Sequence, residues 1–416
     1  MRVLVIGQGG REHAMVRALH FSPTVTEVHI APGSDGITEA VKHDVDVTDK
    51  PAVLDLCKRF GFDLIVIGPE QPLVDGLSDF LRDAGLTVFG PSQAAAQLEG
   101  SKIFTKEFLV DGHVPTAPYQ VVTNVKETLA AAQSYHPPYV LKADGLAAGK
   151  GVYICSSLED LEKAAKEMFE LKVLGAAGSR AVLEKFTKGF ELSYFILTNG
   201  SKYVSLPLAQ DHKKIGDGDT GPNTGGMGTV APIPLQPADH EAIIKKVVEP
   251  TVAQLQKKGL VYRGVLFIGL MMTADGPSVI EFNVRFGDPE AQVLFPLLEG
   301  DWGQALKAIA KGEIPQLKWK NIYASCIVLA AENYPGTPVK GTVIEGDLQA
   351  QTSSSYLLHA GTKKTPQGWT VNGGRVVNAV GIGSTLREAI KKGYEIADTV
   401  QWKGRQLRGD IGKKYL

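Results

Sequence analysis

The chain has 416 residues, 44% of them hydrophobic and 21% charged; that is more than one core usually serves, so two to four globular domains are expected. Forty-four basic residues against forty-five acidic ones leave a net charge of −1, which excludes the broad basic face that a nucleic acid needs but not a local pocket for one phosphate. Cys57, Cys155 and Cys326 lie too far apart for metal-ligand spacing or a disulfide framework, Met1–Gly7 is too short an apolar run for a signal peptide, and no stretch approaches the ~18 apolar residues of a membrane span, all of which point to a soluble cytoplasmic protein.

Along the first hundred residues, short apolar runs alternate with amphipathic ones. Val3–Ile6, Glu27–Ile30, Leu64–Ile67 and Thr87–Phe89 read as strands, and Glu12–His20 and Ala52–Phe60 as helices between them. This is the pattern of a doubly wound parallel sheet, whose ligands gather at strand ends. The first strand ends in Gly7-Gln8-Gly9-Gly10-Arg11-Glu12. Three readings stay open for that turn: a dinucleotide site, which lacks its third glycine because Glu12 stands there; a structural glycine turn; or helix-start amides that cradle one phosphate ester with help from Arg11.

Beyond Gly90-Pro91-Ser92, one helix is expected over 94–110. A compact α/β unit follows at about 118–188, with strands Tyr119–Val122, Tyr139–Lys142 and Ala181–Glu184 and a charged helix Leu158–Leu171. Lys142 ends a strand and opens the small-residue loop Asp144–Gly151. That loop resembles a phosphate-binding loop but has the wrong spacing and no Ser or Thr after Lys150, so it reads as a flexible cover over a triphosphate, with Lys142 and Lys150 as point charges. The polar, glycine-rich stretch 211–228 reads as an irregular functional loop; in it His212 is a hydrogen-bonding residue and Asp211 a candidate for an amino group.

Two apolar strands come next, Gly264–Met272 and Ser278–Val284, and strand-like runs with a helix at 385–398 complete the chain. Side-chain alternation puts Glu281, Asn283 and Arg285 on one face of the second strand and Ile280, Phe282 and Val284 on the other, in the core. Carboxylate and amide oxygens two residues apart suit magnesium or manganese shared with phosphates. No protein nucleophile with an activating partner is evident.

In this order the segments GGREH at 9–13, IGPEQPL at 67–73, LEGSK at 98–102, LKADGLAAGKGV at 141–152, AQDHK at 209–213, DGDTGPNTGGMG at 217–228, EFNVRFGDPE at 281–290 and RGDIG at 408–412 resemble the ATP-grasp family, and within it the phosphoribosylamine–glycine ligases. The resemblance implies an ATP-grasp α/β fold: a doubly wound domain at 1–100, a nucleotide clamp at 101–320 with a lid subdomain near 118–188, and a small α/β domain at 321–416. It implies ATP-dependent ligation of glycine to 5-phosphoribosylamine through glycyl phosphate, the second step of de novo purine synthesis.

By the same resemblance Lys102 and Lys142 meet the ATP phosphates, Glu184 with the backbone of Lys185 and Phe186 meets adenine, and Glu191 meets the ribose. Asp144, Gly145, Gly149, Lys150 and Gly151 belong to the lid, and Glu281 and Asn283 hold the metal. Gly10, Arg11, Glu12 and Glu70 face phosphoribosylamine. Arg285, Asp211, Asp288 and Asn223 are the candidates for catalysis, with Thr224 as a further substrate contact. Gly264–Met272 lacks the acidic ligand that the wider superfamily carries there, which tells against a three-ligand metal site. Other readings are a different ATP-grasp carboxylate–amine ligase, a dinucleotide-dependent oxidoreductase, and a nucleotide-binding regulator without turnover. A monomer or weak dimer is expected.

Overall fold

The computed structural model describes residues 1–147 and 151–416. Arg2–Gly7, Glu27–Pro32, Val41–Lys42, Leu64–Ile67 and Val88–Phe89 pair in parallel, in the spatial order third, second, first, fourth, fifth. Alternate residues of the first strand enter different cores, Leu4 and Ile6 one and Val3 and Val5 the other. Both faces are therefore covered, as a parallel sheet requires. Helices Gly10–His20 and Lys50–Phe60 fall where expected.

The single helix expected over 94–110 is two, Gln93–Gly100 and Lys102–Asp111. Ser101 breaks them with extended dihedrals (φ −136°, ψ 120°), and its Oγ accepts the Phe104 amide at 3.1 Å as the second helix's N-cap. That break sets Lys102 at a helix start.

Tyr119–Val122, Ala181–Lys185, Tyr139–Ala143 and Val152–Cys155 form a four-stranded antiparallel sheet with its own apolar cluster, shared with helices Val125–Ala132 and Leu158–Phe169. A second antiparallel sheet runs in the order Tyr203–Ser205, Phe190–Thr198, Gly264–Thr273, Gly276–Asn283. Its last pairing carries a bulge: Gly269 faces Glu281, yet Leu270 faces Val279. Ile280 has no opposite residue, and alternation reverses there. This corrects the reading of Ile280 as core, because it turns to the same face as Glu281 and Asn283, whereas Val279, Phe282 and Val284 are buried.

The glycine-rich stretch is also more regular than its composition implies. Gln210–Asp211 and Gly228–Ala231 join a sheet with Tyr323–Ala330, Arg375–Gly383 and Ser355–His359, and between them Lys214–Gly216 and Thr220–Asn223 form a hairpin. The C-terminal segment secures this hairpin. Arg408, 1% exposed, pairs with Asp219 and Asp410 at 2.8 Å each, while the Gly409 and Gly218 amides donate to Asp217 and Asp410. His212 is likewise structural: Nδ1 meets the Gly228 carbonyl at 3.0 Å and Nε2 accepts the Gly412 amide at 3.1 Å. No helix among the described residues is long and apolar enough to cross a membrane.

Candidate active site

The two antiparallel sheets face one another across a cleft of about 530 Å³, which the N-terminal domain and the strand Arg375–Gly383 close at one end. One wall is an apolar slot of Val140, Ile154, Phe186, Met271 and Ile280. At its back, Glu184 is held on Oε2 by Lys142 at 3.0 Å and by Lys106 at 3.2 Å. Its Oε1 has no hydrogen-bond partner.

Glu281 and Asn283 project from the bulged strand toward Lys102, whose Nζ lies 3.4 Å from Glu281 Oε2. Desolvation disfavours the Glu281 carboxylate, but the ammonium groups of Lys102, Lys213 and Lys142 outweigh it and hold its pKa at about 2. Asn283 accepts from Arg285 at 3.2 Å and donates to Glu281 at 3.4 Å. A second acidic group stands beside it. Lys213 pairs with Asp211 at 2.9 Å, and Asp211, Glu290 and Glu281 together raise its pKa against the desolvation that lowers it. Glu290 accepts from Ser193 at 3.0 Å; burial and the nearby Asp211 push its pKa up.

Arg285 ties three elements together, contacting Glu99 at 2.8 Å and Glu70 at 3.3 Å beside Asn283. Arg375 reaches in from the C-terminal sheet, donating to the carbonyls of Gly225 (2.7 Å) and Asp288 (2.6 Å) and pairing with the Asp288 carboxylate at 3.3 Å. Burial raises the Asp288 pKa, but Arg375 and Arg11 more than reverse this and leave it below its usual value.

The cleft thus brings together Arg11, Glu70, Lys102, Lys142, Gly145, Gly151, Glu184, Lys185, Phe186, Glu191, Asn223, Thr224, Glu281, Asn283, Arg285 and Asp288. Gly149 and Lys150 lie outside the described residues. Asp211 stands behind Lys213, on a small adjoining pocket. Gly10 and Glu12 do not line the cleft. An added Cβ at Gly10 would strike Asn378, and Glu12 turns back to accept the Gly9 amide at 2.7 Å and the Arg11 Nε at 2.6 Å. Glu12 packs against Gly7 and Gly68, the ends of two adjacent parallel strands. It therefore fills the crevice in which a dinucleotide's pyrophosphate would rest on such a sheet.

Asp144 is also set back from the cleft. Its carboxylate, 2% exposed, accepts from Ser101 Oγ at 2.7 Å and the Ile103 amide at 3.0 Å, and pairs with Arg180 at 2.7 Å. It therefore joins the lid sheet to the start of the Lys102 helix. Asp144→Ala is expected to cost about 1–2 kcal/mol, the worth of such a cap, and to weaken ATP binding by displacing Lys102; calorimetric melting and nucleotide titration would check both. Lys106, Lys213, Glu99, Glu290 and Arg375 were not marked in the sequence. Glu99, Lys213 and Glu290 stand within segments that did stand out, and the Asn372-Gly373-Gly374-Arg375 turn opening a strand was a signal for Arg375.

Opposed antiparallel sheets on a lysine- and carboxylate-lined cleft, flanked by a doubly wound domain, define a protein of the ATP-grasp class. The biotin carboxylase domain of 2-oxoglutarate carboxylase from Hydrogenobacter thermophilus, solved with magnesium ADP and bicarbonate, has the same fold at a TM-score of 0.75 and 19% identity, over 98% of this chain and 91% of that one. Within the class, the chain belongs to the phosphoribosylglycinamide synthetase family: its N domain matches residues 1–99, its ATP-grasp (A) domain 100–291 and its C domain 324–414. Phosphoribosylamine–glycine ligase of Vibrio cholerae is 42% identical, covering 100% of this chain and 99% of that protein. The solved phosphoribosylamine–glycine ligase of Thermotoga maritima superposes with a TM-score of 0.86 at 34% identity, over 99% of this chain and 100% of that one.

Proposed function

We propose that the cleft uses ATP to join the carboxylate of glycine to the amine of 5-phosphoribosylamine, yielding glycinamide ribonucleotide, ADP and phosphate for purine biosynthesis in the cytoplasm. One observation carries this reading: a single cavity runs from an apolar slot, past Lys142, Lys102, Glu281 and Asn283, to Arg11, Glu70 and Arg375 from the two flanking domains. A nucleotide base, a triphosphate and a phosphosugar can therefore meet in one enclosure.

A carboxylate is a poor acyl donor because oxide is a poor leaving group. Glycine's carboxylate oxygen attacks the γ-phosphorus of ATP, the β–γ bridging bond breaks, and ADP departs from glycyl phosphate. The amine then attacks the acyl carbon and phosphate leaves. Such steps ask the protein mainly for position and charge neutralisation. Lys102 and Lys142 supply charge to the phosphates. Glu184 and the Lys185–Phe186 backbone receive the base, and Glu191 the ribose. Arg11, Glu70, Asp288 and Arg375 face the phosphosugar, while Gly10 and Glu12 shape that wall from behind. Asp211, Asn223, Thr224, Lys213 and Glu290 surround the place for glycine. Gly145, Leu146, Ala147 and Gly151, which line the cleft, cover the nucleotide and exclude water from the acyl phosphate, with Asp144 anchored behind them.

Glu281 and Asn283 fit a magnesium or manganese ion, since both offer hard oxygen donors and Glu281 is held as a carboxylate. Among the described residues no group of three or more His, Cys, Asp or Glu could hold a metal, so the remaining ligands would be phosphate oxygens and water. When bound, the ion supplies charge compensation to the phosphates. ADP release, measured with glycine and freshly generated phosphoribosylamine separately and together, tests the whole reading. Turnover is expected only with both; turnover with another carboxylate in place of glycine would overturn the substrate assignment.

A further inference from the structure

Lys106 is a buried cation beside the cleft that the reaction described above does not employ. It stands one turn after Lys102 on the same helix and is 3% exposed. All three of its donors are spent: on Thr116 Oγ1 at 2.7 Å, on the Ala117 carbonyl at 3.2 Å and on Glu184 Oε2 at 3.2 Å. Thr116 in turn donates to the Val279 carbonyl at 2.8 Å, just before the bulge that turns Ile280 into the slot. Lys106 is therefore fixed by the clamp's own framework, and Glu184 is fixed by Lys106.

Lys142 meets the same oxygen of Glu184, and also the Ile280 carbonyl at 3.2 Å. A lysine drawn to a polyphosphate must leave such partners. With Lys142 alone, its departure would strand a buried carboxylate, a state that costs several kcal/mol. With Lys106 in place, Glu184 keeps a counter-charge throughout. Its Oε1, buried on the slot wall and without any partner, remains an acceptor at a fixed place.

We infer that Lys106 is a positioning residue that holds Glu184 as a hydrogen-bond acceptor for the exocyclic amine of a 6-aminopurine while Lys142 turns to the phosphates. Lys106 thereby sets the selectivity for adenine. The inference rests on the cleft binding ATP as proposed above. Burial agrees with it: desolvation, with Lys142 and Lys102 nearby, lowers the Lys106 pKa to about 8 although Glu184 opposes this. The other facing group is the Tyr119 ring, 5.6 Å away. Binding that draws Lys142 off Glu184 favours protonated Lys106, so ATP affinity should fall as pH rises past about 8.

The test is direct binding of ATP and of purine riboside triphosphate, which lacks only the 6-amino group, to the full chain by titration calorimetry. The wild-type protein is expected to prefer ATP by about tenfold or more, the worth of a hydrogen bond to a charged acceptor. Lys106→Met should bring that ratio to within about threefold of unity. In Lys106→Met/Glu184→Gln the amide oxygen needs no counter-charge and still accepts, so the preference should return. The wild-type affinity for ATP should also fall between pH 7 and 9.5, as the unliganded chain gives up the Lys106 proton that the bound state favours, a readout that requires no variant to fold. A Lys106→Met protein that keeps the wild-type ratio, or a Lys106→Met/Glu184→Gln protein in which the preference stays lost, overturns the inference and leaves the proposed reaction standing. Failure of the wild-type chain to bind ATP at all would remove both.

Discussion

Glu281→Ala should lower the rate of ADP formation by about a thousandfold or more, while leaving the melting temperature within a few degrees of wild type. The two halves of that expectation have different causes. Glu281 is 32% exposed on the cleft wall, so its loss opens no core and breaks a solvent-screened pair with Lys102 and a long 3.4 Å contact from Asn283. The chemistry depends on it far more. It stands among the charges of Lys102, Lys142 and Lys213, and in the proposed reaction it would supply one of the two protein oxygens for the metal. Its removal makes the cleft more positive. ATP should therefore bind the variant as tightly as before, or more tightly, when magnesium is left out, and the gain that magnesium brings should vanish. Loss of turnover with retained nucleotide binding separates a metal-and-charge role from damage to the clamp. Turnover above about a tenth of wild type would reject Glu281 as a metal ligand.

Much of this site could be read from sequence because it is assembled from contiguous strand ends. Lys142, Glu184, Glu281 and Asn283 each sit on or next to a short apolar run that reads as a strand, and the parallel sheet shows itself because both its faces are buried. What sequence did not show depends on partners far along the chain. Ile280 enters the slot because of a bulge fixed by the pairing of Gly269 with Glu281, a register that one strand cannot announce. The break at Ser101 looks like helix interior until Asp144, 43 positions away, is found bonding its hydroxyl and the Ile103 amide. Lys106 resembles any lysine on an amphipathic helix. Only the fold brings Glu184 and Thr116 to it. Gln210–Asp211 and Gly228–Ala231 are too short to read as strands, and they form because Tyr323–Ala330 offers an edge to Gly228–Ala231, which in turn pairs with Gln210–Asp211. Glu12 occupies the position of a missing glycine, and its inward turn explains physically why that motif does not make a dinucleotide site.

Arg285→Ala is the substitution expected to damage both fold and activity. Glu99 is 5% exposed on the helix Gln93–Gly100, with one oxygen on Arg285 at 2.8 Å and the other accepting the Val284 amide at 2.8 Å. Burial already raises its pKa, and Arg285 is the main opposing influence. Truncating Arg285 leaves that carboxylate buried without its cation, at a cost of about 3–5 kcal/mol. The sign of the pH dependence follows. A carboxyl whose folded pKa is raised favours the fold below its unfolded pKa and loses that favour as pH rises through the folded value. In the variant the folded value rises further, so the loss of stability should be smaller at pH 5 than at pH 8, which denaturant melts at the two values would measure. Glu99→Gln in the same chain removes the stranded charge and should return most of the stability at pH 8. Activity should not return with it, because Arg285 also lines the cleft beside Asn283 and Glu70. Recovery of stability alone would establish Arg285 as a group the reaction needs; recovery of both would make it a strut between the N-terminal domain and the clamp.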